Sequence, residues 1–448
     1  MAFVDAALSP WGLLEGALAV YTVSSQLGFE AILSGHRPVV FGQPFYAGWG
    51  LSDDRDPLDR RQRKLTRAQL FVGAMILYPT WYCPYRDRLC TLEEAIDTLD
   101  ARARAWREDR AGWVASGMRL WKRTPLQQFY GRYRKLRFAE RRATAIAAKD
   151  QRRHMVWASA AADHPDAVRV EDGFLRSRGL GADLTAPLSL VTDPTGIYYD
   201  PSAPSQLEIL IENSADLPHW ATHRAERLIA RVLRAKLGKY NTGTETGPAD
   251  LPQGRRILVP GQVEDDASIR LGTTDVRTNR DLLIKVREAN PAAVILYKPH
   301  PDVEAGLRIG AVPDALDHSD SVLDGLSADA AIGLVDEVWT MTSTIGFEAL
   351  LRGKKVVTLG SPFYAGWGLT DDHAMPLTRR QARPTIAQMA HAVLIDYPRY
   401  FDPVSGEPCP PEVAVERLSS AASMLGRPAW RLVAKVQGLF ASYAWIWR

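Results

Sequence analysis

Cysteine is scarce in this chain of 448 residues: Cys83, Cys90 and Cys409 form no metal-ligand spacing and no disulfide framework. With no signal-peptide pattern at Met1, they read as reduced thiols in a cytoplasmic protein. An excess of one charge is missing too. Lys and Arg number 55 against 52 Asp and Glu, so nucleic-acid binding has no whole-chain argument and only local clusters can bear on it. No window of about 18 apolar residues is free of charge, so no segment is expected to span a bilayer and any membrane contact is peripheral. Gly179 and Gly181 lack dinucleotide-binding spacing, and no phosphate-loop lysine accompanies them, which sets NAD and ATP aside.

What the chain does contain is a long internal repeat. Pro44 to Leu51 (PFYAGWGL) recurs letter for letter from Pro362 to Leu369, and each copy is followed by a hydroxyl residue and two aspartates. Upstream, Ser25 to Ala31 (SQLGFEA) pairs with Ser343 to Ala349 (STIGFEA). Downstream, Tyr78, Pro79 and Cys90 pair with Tyr397, Pro398 and Cys409. Such self-similarity sets the architecture before any local reading does. Residues 1–100 therefore read as the C-terminal end of one module, and the rest as a complete second module.

Between Ala101 and Arg153, Arg and Lys crowd together with Trp and Tyr at helical periodicity, which reads as a basic inter-module linker. Two uses fit it: a solvated helix pair, or a surface that meets anionic lipid headgroups. Short β-rich runs then alternate with helical stretches, the pattern of parallel α/β layers. His154–Ala158 and Ala167–Val170 are the first strand candidates. A helix is expected over 217–237 with Asp216 as its cap, and 241–254 reads as a hinge between a Rossmann-like lobe (154–250) and a C-terminal lobe (251–448). In the second lobe, strands are expected at 257–260, 293–297, 337–340 and 355–359. Ligands collect at the carboxyl ends of parallel strands, which selects Pro260 to Gln262, Lys298 to Pro301, Thr342 to Thr344 and Gly360 to Pro362 as one cleft.

Thr342, Ser343 and Thr344 precede a helix expected over 345–352. They either face an anionic phosphate or cap the helix with no ligand. Lys298-Pro-His300-Pro offers an ammonium and an imidazole restrained by two prolines, a phosphate clamp or a structural turn. Gln262 ends a neighbouring strand. Glu348, just over one helical turn beyond Ser343, suits a ribose hydroxyl or a salt bridge. In the other lobe Glu171 and Asp172 end a strand before Gly173, which is expected to turn the backbone and bare Asp172 to the cleft. Asp265 and Asp266 read as solvated, with no metal required.

These motifs resemble the KpsC-type capsular polysaccharide Kdo transferases. The likeness rests on Glu171 to Ser177 (EDGFLRS), Pro187 to Leu190, Gly196 to Asp200, Pro260 to Asp266, Lys298 to Pro301 and the repeated FYAGWG blocks, and covers nearly the whole chain. The acidic-Gly and His-Pro pair is also similar to that of bacterial sialyltransferases, which use a CMP-activated ulosonic acid. The resemblance implies an α/β fold of GT-B type, with two Rossmann-like lobes preceded here by a partial copy of the C-terminal lobe. It implies transfer of Kdo from CMP-β-Kdo with retention, onto a phosphatidylglycerol-type lipid-linked Kdo acceptor. CMP-Kdo is then the donor, with no cofactor and no nucleic-acid partner. The expected setting is cytoplasmic and peripheral on the inner membrane, against an anionic surface and with other capsule assembly proteins.

Within that reading, Asp172 is the expected nucleophile with Glu171 as neighbour or alternative, and His300, Lys298 and Ser343 hold the leaving phosphate. Arg176 is a candidate to pair the Kdo carboxylate, or else a structural ion pair. Position in the tandem implies a 2,7 linkage, and the truncated first module makes a single linkage the expectation. A different CMP-sugar or polymer transferase and a non-catalytic export scaffold are the competing classes. Residues 427–448 carry aromatics at helical spacing, expected either to meet the membrane or to pack back on the first lobe.

Overall fold

The computed structural model describes residues 4, 8–179, 185–248 and 250–420. The chain forms two compact units, Met1–Asp97 and Thr98–Arg448. In the first, the short strands β1 (Tyr21–Thr22), β2 (Val39–Val40) and β3 (Asp53–Asp54) pair in parallel in that order. The helix Leu27–Leu33 crosses from β1 to β2 and buries Phe29 and Ile32 against Val40, Tyr46 and Leu70. A hairpin of β4 (Trp81–Cys83) and β5 (Arg88–Cys90) follows.

The described residues of the second unit form two sheets. Strands β6 (Trp113–Ser116), β7 (Arg137–Phe138), β8 (Arg153–Trp157), β9 (Val168–Asp172) and β10 (Ser189–Asp193) belong to the first. The second is entirely parallel: β11 (Arg256–Pro260), β12 (Val294–Lys298), β13 (Ser321–Val322), β14 (Glu337–Thr340), β15 (Lys355–Thr358) and β16 (Asp371–Asp372), ordered β13-β12-β11-β14-β15-β16. Strands β11 and β12 are buried along nearly their whole length, as expected where helices cover both faces of a parallel sheet. Strands β17 (Pro398–Asp402) and β18 (Glu407–Cys409) then return to the first sheet, giving the order β18-β17-β10-β9-β8-β6-β7. That sheet is parallel from β7 to β9 and antiparallel from β9 to β18.

Three expectations need correction. Residues 101–153 are not a linker: β6 and β7 within them form one edge of the seven-stranded sheet, and all four residues of β6 are buried. Three of the basic side chains that suggested a linker are tied to the fold, with Arg132 against Glu407, Arg137 against Asp150 and Arg134 on the carbonyl of Ala111. Residues 251–448 are not one lobe either, because Pro398–Cys409 crosses back and β17 pairs with β10. The helix expected over 217–237 is shorter, His219–Arg234, and starts behind Pro218 instead of Asp216. The terminal stretch 427–448 lies outside the described residues.

The repeated segments make the same hydrogen bonds in both units. Tyr46 donates its hydroxyl to the Ser25 carbonyl at 2.5 Å, and Tyr364 to that of Ser343 at 2.6 Å. Asp54 accepts from the Gly48 N–H at 2.9 Å, and Asp372 from that of Gly366 at 2.8 Å. Arg61 binds the carbonyls of Pro44 and Ala47, as Arg380 binds those of Pro362 and Ala365. Glycine is required where the tyrosine meets the helix: a Cβ at Gly28 or Gly346 would lie 2.3 or 2.2 Å from the tyrosine hydroxyl.

Candidate active site

In the second unit, Glu171 and Asp172 close β9 at the carboxyl end of the parallel strands. Gly173 is needed there for close approach, since a Cβ would sit 2.4 Å from the Ser189 hydroxyl. Its N–H donates to the Ser189 carbonyl. Asp172 pairs with Arg176 at 2.8 Å. Burial opposes ionisation of Asp172, but Arg176 and then Lys122 outweigh it and hold its pKa below the usual range. Glu171 accepts the Asp172 N–H at 3.0 Å; burial pushes its pKa up to about 7 against the pull of Lys122. Two adjacent carboxylates thus differ in protonation near neutrality, one fixed as an anion and one able to exchange a proton.

Arg176 does not reach out for a ligand. Its side chain is 0% exposed. Besides the pair with Asp172, it donates to the Ser177 hydroxyl at 2.7 Å and the Thr185 carbonyl at 3.1 Å. The expected contact with a substrate carboxylate gives way to the structural ion pair.

Across the cleft, His300 caps the short helix Pro301–Glu304. Its Nδ1 accepts the Asp302 N–H at 3.1 Å, which leaves the proton of the neutral ring on Nε2. Burial, followed by the charge of Lys239, pushes His300 down to about 4, so at neutral pH it is an uncharged donor. Lys298, at the end of β12, is buried, which lowers its pKa against the charges of Glu304 and Asp324. Tyr240 bridges the two motifs: its ring meets His300 edge-on at 6.2 Å, and Arg176 and Asp172 act on its hydroxyl. Lys239 beside it acts on both His300 and Asp172. Burial works against the Lys239 ammonium, but Tyr198, Tyr240 and the two carboxylates prevail and raise its pKa.

The remaining expected residues divide. Ser343 caps the helix Thr344–Leu351, accepting the Ile345 N–H at 3.2 Å, with its own hydroxyl proton still to give. Ser343 follows β14 and His300 follows β12, two strands away, a separation of about 10 Å by strand spacing. Thr344 is half-buried beside it. Gln262 and Thr342 are occupied by each other: the Gln262 amide donates to the Thr342 hydroxyl and accepts its N–H, both at 2.9 Å. Asn279 holds the Gln262 backbone on both sides. The two bonds between Gln262 and Thr342 brace the end of β11 against the loop after β14, and the Thr342 hydroxyl, like that of Ser343, keeps its own proton to give. Glu348 is buried; its Oε1 accepts the Lys239 N–H at 2.9 Å and so anchors the turn that carries Lys239 and Tyr240, while its Oε2 is buried with no hydrogen-bond partner. Asp266 caps the helix Ala267–Gly272, and Asp265 pairs with Arg308.

Lys122, Lys239 and Tyr240 were not legible as site residues, and Tyr198, although within the Gly196 to Asp200 motif, was given no role there. Lys122 lies in the segment read as a linker, and Lys239-Tyr240 follows a helix with no motif around it.

The capsule polysaccharide biosynthesis protein family matches residues 1–81 and 144–400, most of the chain. The chain belongs to that family. It is 40% identical over 430 residues to the capsule polysaccharide modification protein LipA of Neisseria meningitidis serogroup B, covering 92% of this chain and 61% of LipA. It is 46% identical over 238 residues to the lipopolysaccharide-processing protein LpsZ of Rhizobium meliloti, across 52% of this chain and 54% of LpsZ. It therefore spans less than two thirds of either relative. Two solved structures from Thermosulfurimonas dismutans KpsC are similar, each over 68% of this chain and 98% of its own. The β-Kdo 2,7 transferase is 34% identical with a TM-score of 0.57, and the β-Kdo 2,4 transferase 30% identical with a TM-score of 0.58. The α/β architecture with parallel-rich sheets is thus that of a KpsC-type capsule protein. Among the described residues, no helix is long and apolar enough to cross a membrane.

Proposed function

We propose that this chain is a retaining glycosyltransferase that moves Kdo from CMP-β-Kdo to a lipid-linked, phosphatidylglycerol-type Kdo acceptor during capsule assembly. The observation that carries this reading is the ionised Asp172 beside a proton-exchanging Glu171, facing a neutral His300 across Lys239 and Tyr240. The likeness to two β-Kdo transferases supports it.

In the first step, a carboxylate oxygen of Asp172 bonds to the anomeric carbon of Kdo as the bond to the CMP phosphate breaks. The His300 Nε2–H and the Lys298 ammonium stabilise the charge that CMP carries away, with Ser343 donating from its helix N-terminus. In the second step, an acceptor hydroxyl attacks the same carbon from the vacated face and gives its proton to Glu171. Asp172 is released and the configuration is retained. Lys239 and Tyr240, held by Glu348, line the passage between the two groups.

In this reading the two sheets of the second unit are the lobes of a GT-B enzyme, and the first unit is the C-terminal part of another such module. Exposure agrees with the latter: Phe45 is 48% and Tyr78 90% exposed, whereas their counterparts Phe363 and Tyr397 are 5% and 1%. One module forms one linkage, and contact with the anionic inner-membrane surface brings it to the acceptor. The test is transfer from CMP-Kdo to a synthetic Kdo-primed lipid analogue, with the product's anomeric configuration read by NMR. A β-linked Kdo product is expected, with no transfer from CMP-sialic acid. An α-linked product, or transfer only from another CMP-sugar, would overturn the reading.

A further inference from the structure

With Arg176 committed to Asp172, Ser177 and Thr185, another cation must meet the acid group of an acidic sugar donor. Lys122 stands in the first turn of the helix Leu120–Tyr130. Its ammonium lies 2.8 Å from the ring centroid of Trp157, the last residue of β8. Trp157 pairs across the sheet with Val170, one residue before Glu171, so the ammonium sits at the strand ends that carry the two carboxylates. Glu171 and Asp172 attract it, while Arg119 and Arg176 act against it. The ion pairs among the described residues leave Lys122 out, whereas Asp172 is already joined to Arg176. Lys122, Lys239, Arg176 and Arg119 are four cations against three carboxylates, Glu171, Asp172 and Glu348, and Glu171 exchanges its proton near neutrality. At least one positive charge is left for an anionic guest.

We propose that Lys122, steadied on the Trp157 ring, receives the carboxylate of the donor sugar and makes the site specific for acidic sugars. A neutral sugar would leave the half-buried ammonium without a counter-charge, which disfavours its binding. The aromatic face holds the side chain without consuming its hydrogen-bond donors. This inference rests on the reading of the chain as a Kdo transferase, and the experiment separates the two.

Initial rates are measured for wild type, Lys122→Met and Lys122→Arg with CMP-Kdo and with its C1-carboxamide analogue, and CMP binding is followed by calorimetry. Wild type should prefer CMP-Kdo by about tenfold to a hundredfold in kcat/KM, the range for a charge-assisted contact. Lys122→Met should lose most of that preference while binding CMP within about twofold of wild type; Lys122→Arg should restore part of it. Wild type alone supplies an independent readout should Lys122→Met fail to fold. Burial lowers the Lys122 pKa to about 8, so its charge, and the preference with it, should fade as pH rises through that value. A preference kept by Lys122→Met, or a wild-type preference unchanged from pH 7 to 9.5, would overturn the role of Lys122 alone. Wild type inert toward CMP-Kdo would overturn the parent reading and this one with it.

Discussion

Asp172 and Glu171 are neighbours in sequence with opposite tasks, and the difference comes from what each one touches. Arg176 fixes the first as an anion; burial lifts the second to about 7. Since Glu171 acts as a base in the second step, kcat/KM for the acceptor should rise with pH, and because the esterified Asp172 no longer raises Glu171 the limb should lie below the value of about 7 that Glu171 has in the free protein. Glu171→Gln should remove that limb from the pH–rate profile and leave CMP affinity unchanged. His300 is neutral down to about 4, so CMP affinity should show no step between pH 5 and 8 that His300→Asn removes. His300→Ala should lower kcat by about 10²-fold, the cost of one donor aimed at developing charge, as read by steady-state rates. The acidic-Gly and His-Pro motifs were legible because each sits at a strand end with a distinctive neighbour. For Arg176 the sequence left two roles open, and the ion pair with Asp172, backed by Ser177 and Thr185, decides for the structural one through contacts that no spacing rule reveals.

The elements that carry the site are held by contacts between distant segments. Gln262 links the end of β11 to the loop after β14 by two hydrogen bonds to Thr342. Gln262→Ala should cost about 1–3 kcal/mol in denaturant unfolding by leaving buried Thr342 groups unpaired, with CMP affinity falling only as far as the folded population does. Gly346 packs under the Tyr364 hydroxyl; Gly346→Ala should destabilise by about 1–3 kcal/mol, and adding Tyr364→Phe should recover part of that. Strands β11, β12, β14 and β15 were visible as apolar runs because both faces are covered. The edge strand β7 and its neighbour β6 were not, being two and four residues long among arginines. Nor was the return of β17, since its pairing with β10 joins residues some two hundred positions apart, a partnership that no local pattern records.

At the scale of the whole molecule, two copies of one sequence block sit in different company. The second copy contributes Ser343 and Glu348 to a unit that also holds Asp172 and His300. The first copy keeps Ser25 and Glu30 but has no acidic-Gly or Lys-Pro-His-Pro motif within its own unit. Replacing Ser25 and Glu30 by Ala should leave the transfer rate within about twofold of wild type, and a large loss in a folded variant would assign the first unit a part in catalysis. The repeat was legible from letters alone, while the path of the chain through both sheets of the second unit depended on long-range pairing. The most direct measurement is intact-mass analysis of the protein incubated with CMP-Kdo without acceptor, followed by peptide mapping. A nucleophilic Asp172 predicts one Kdo residue attached to the peptide that contains it and none on Asp172→Ala. Normal turnover by Asp172→Ala, or an adduct confined to another residue, would contradict it.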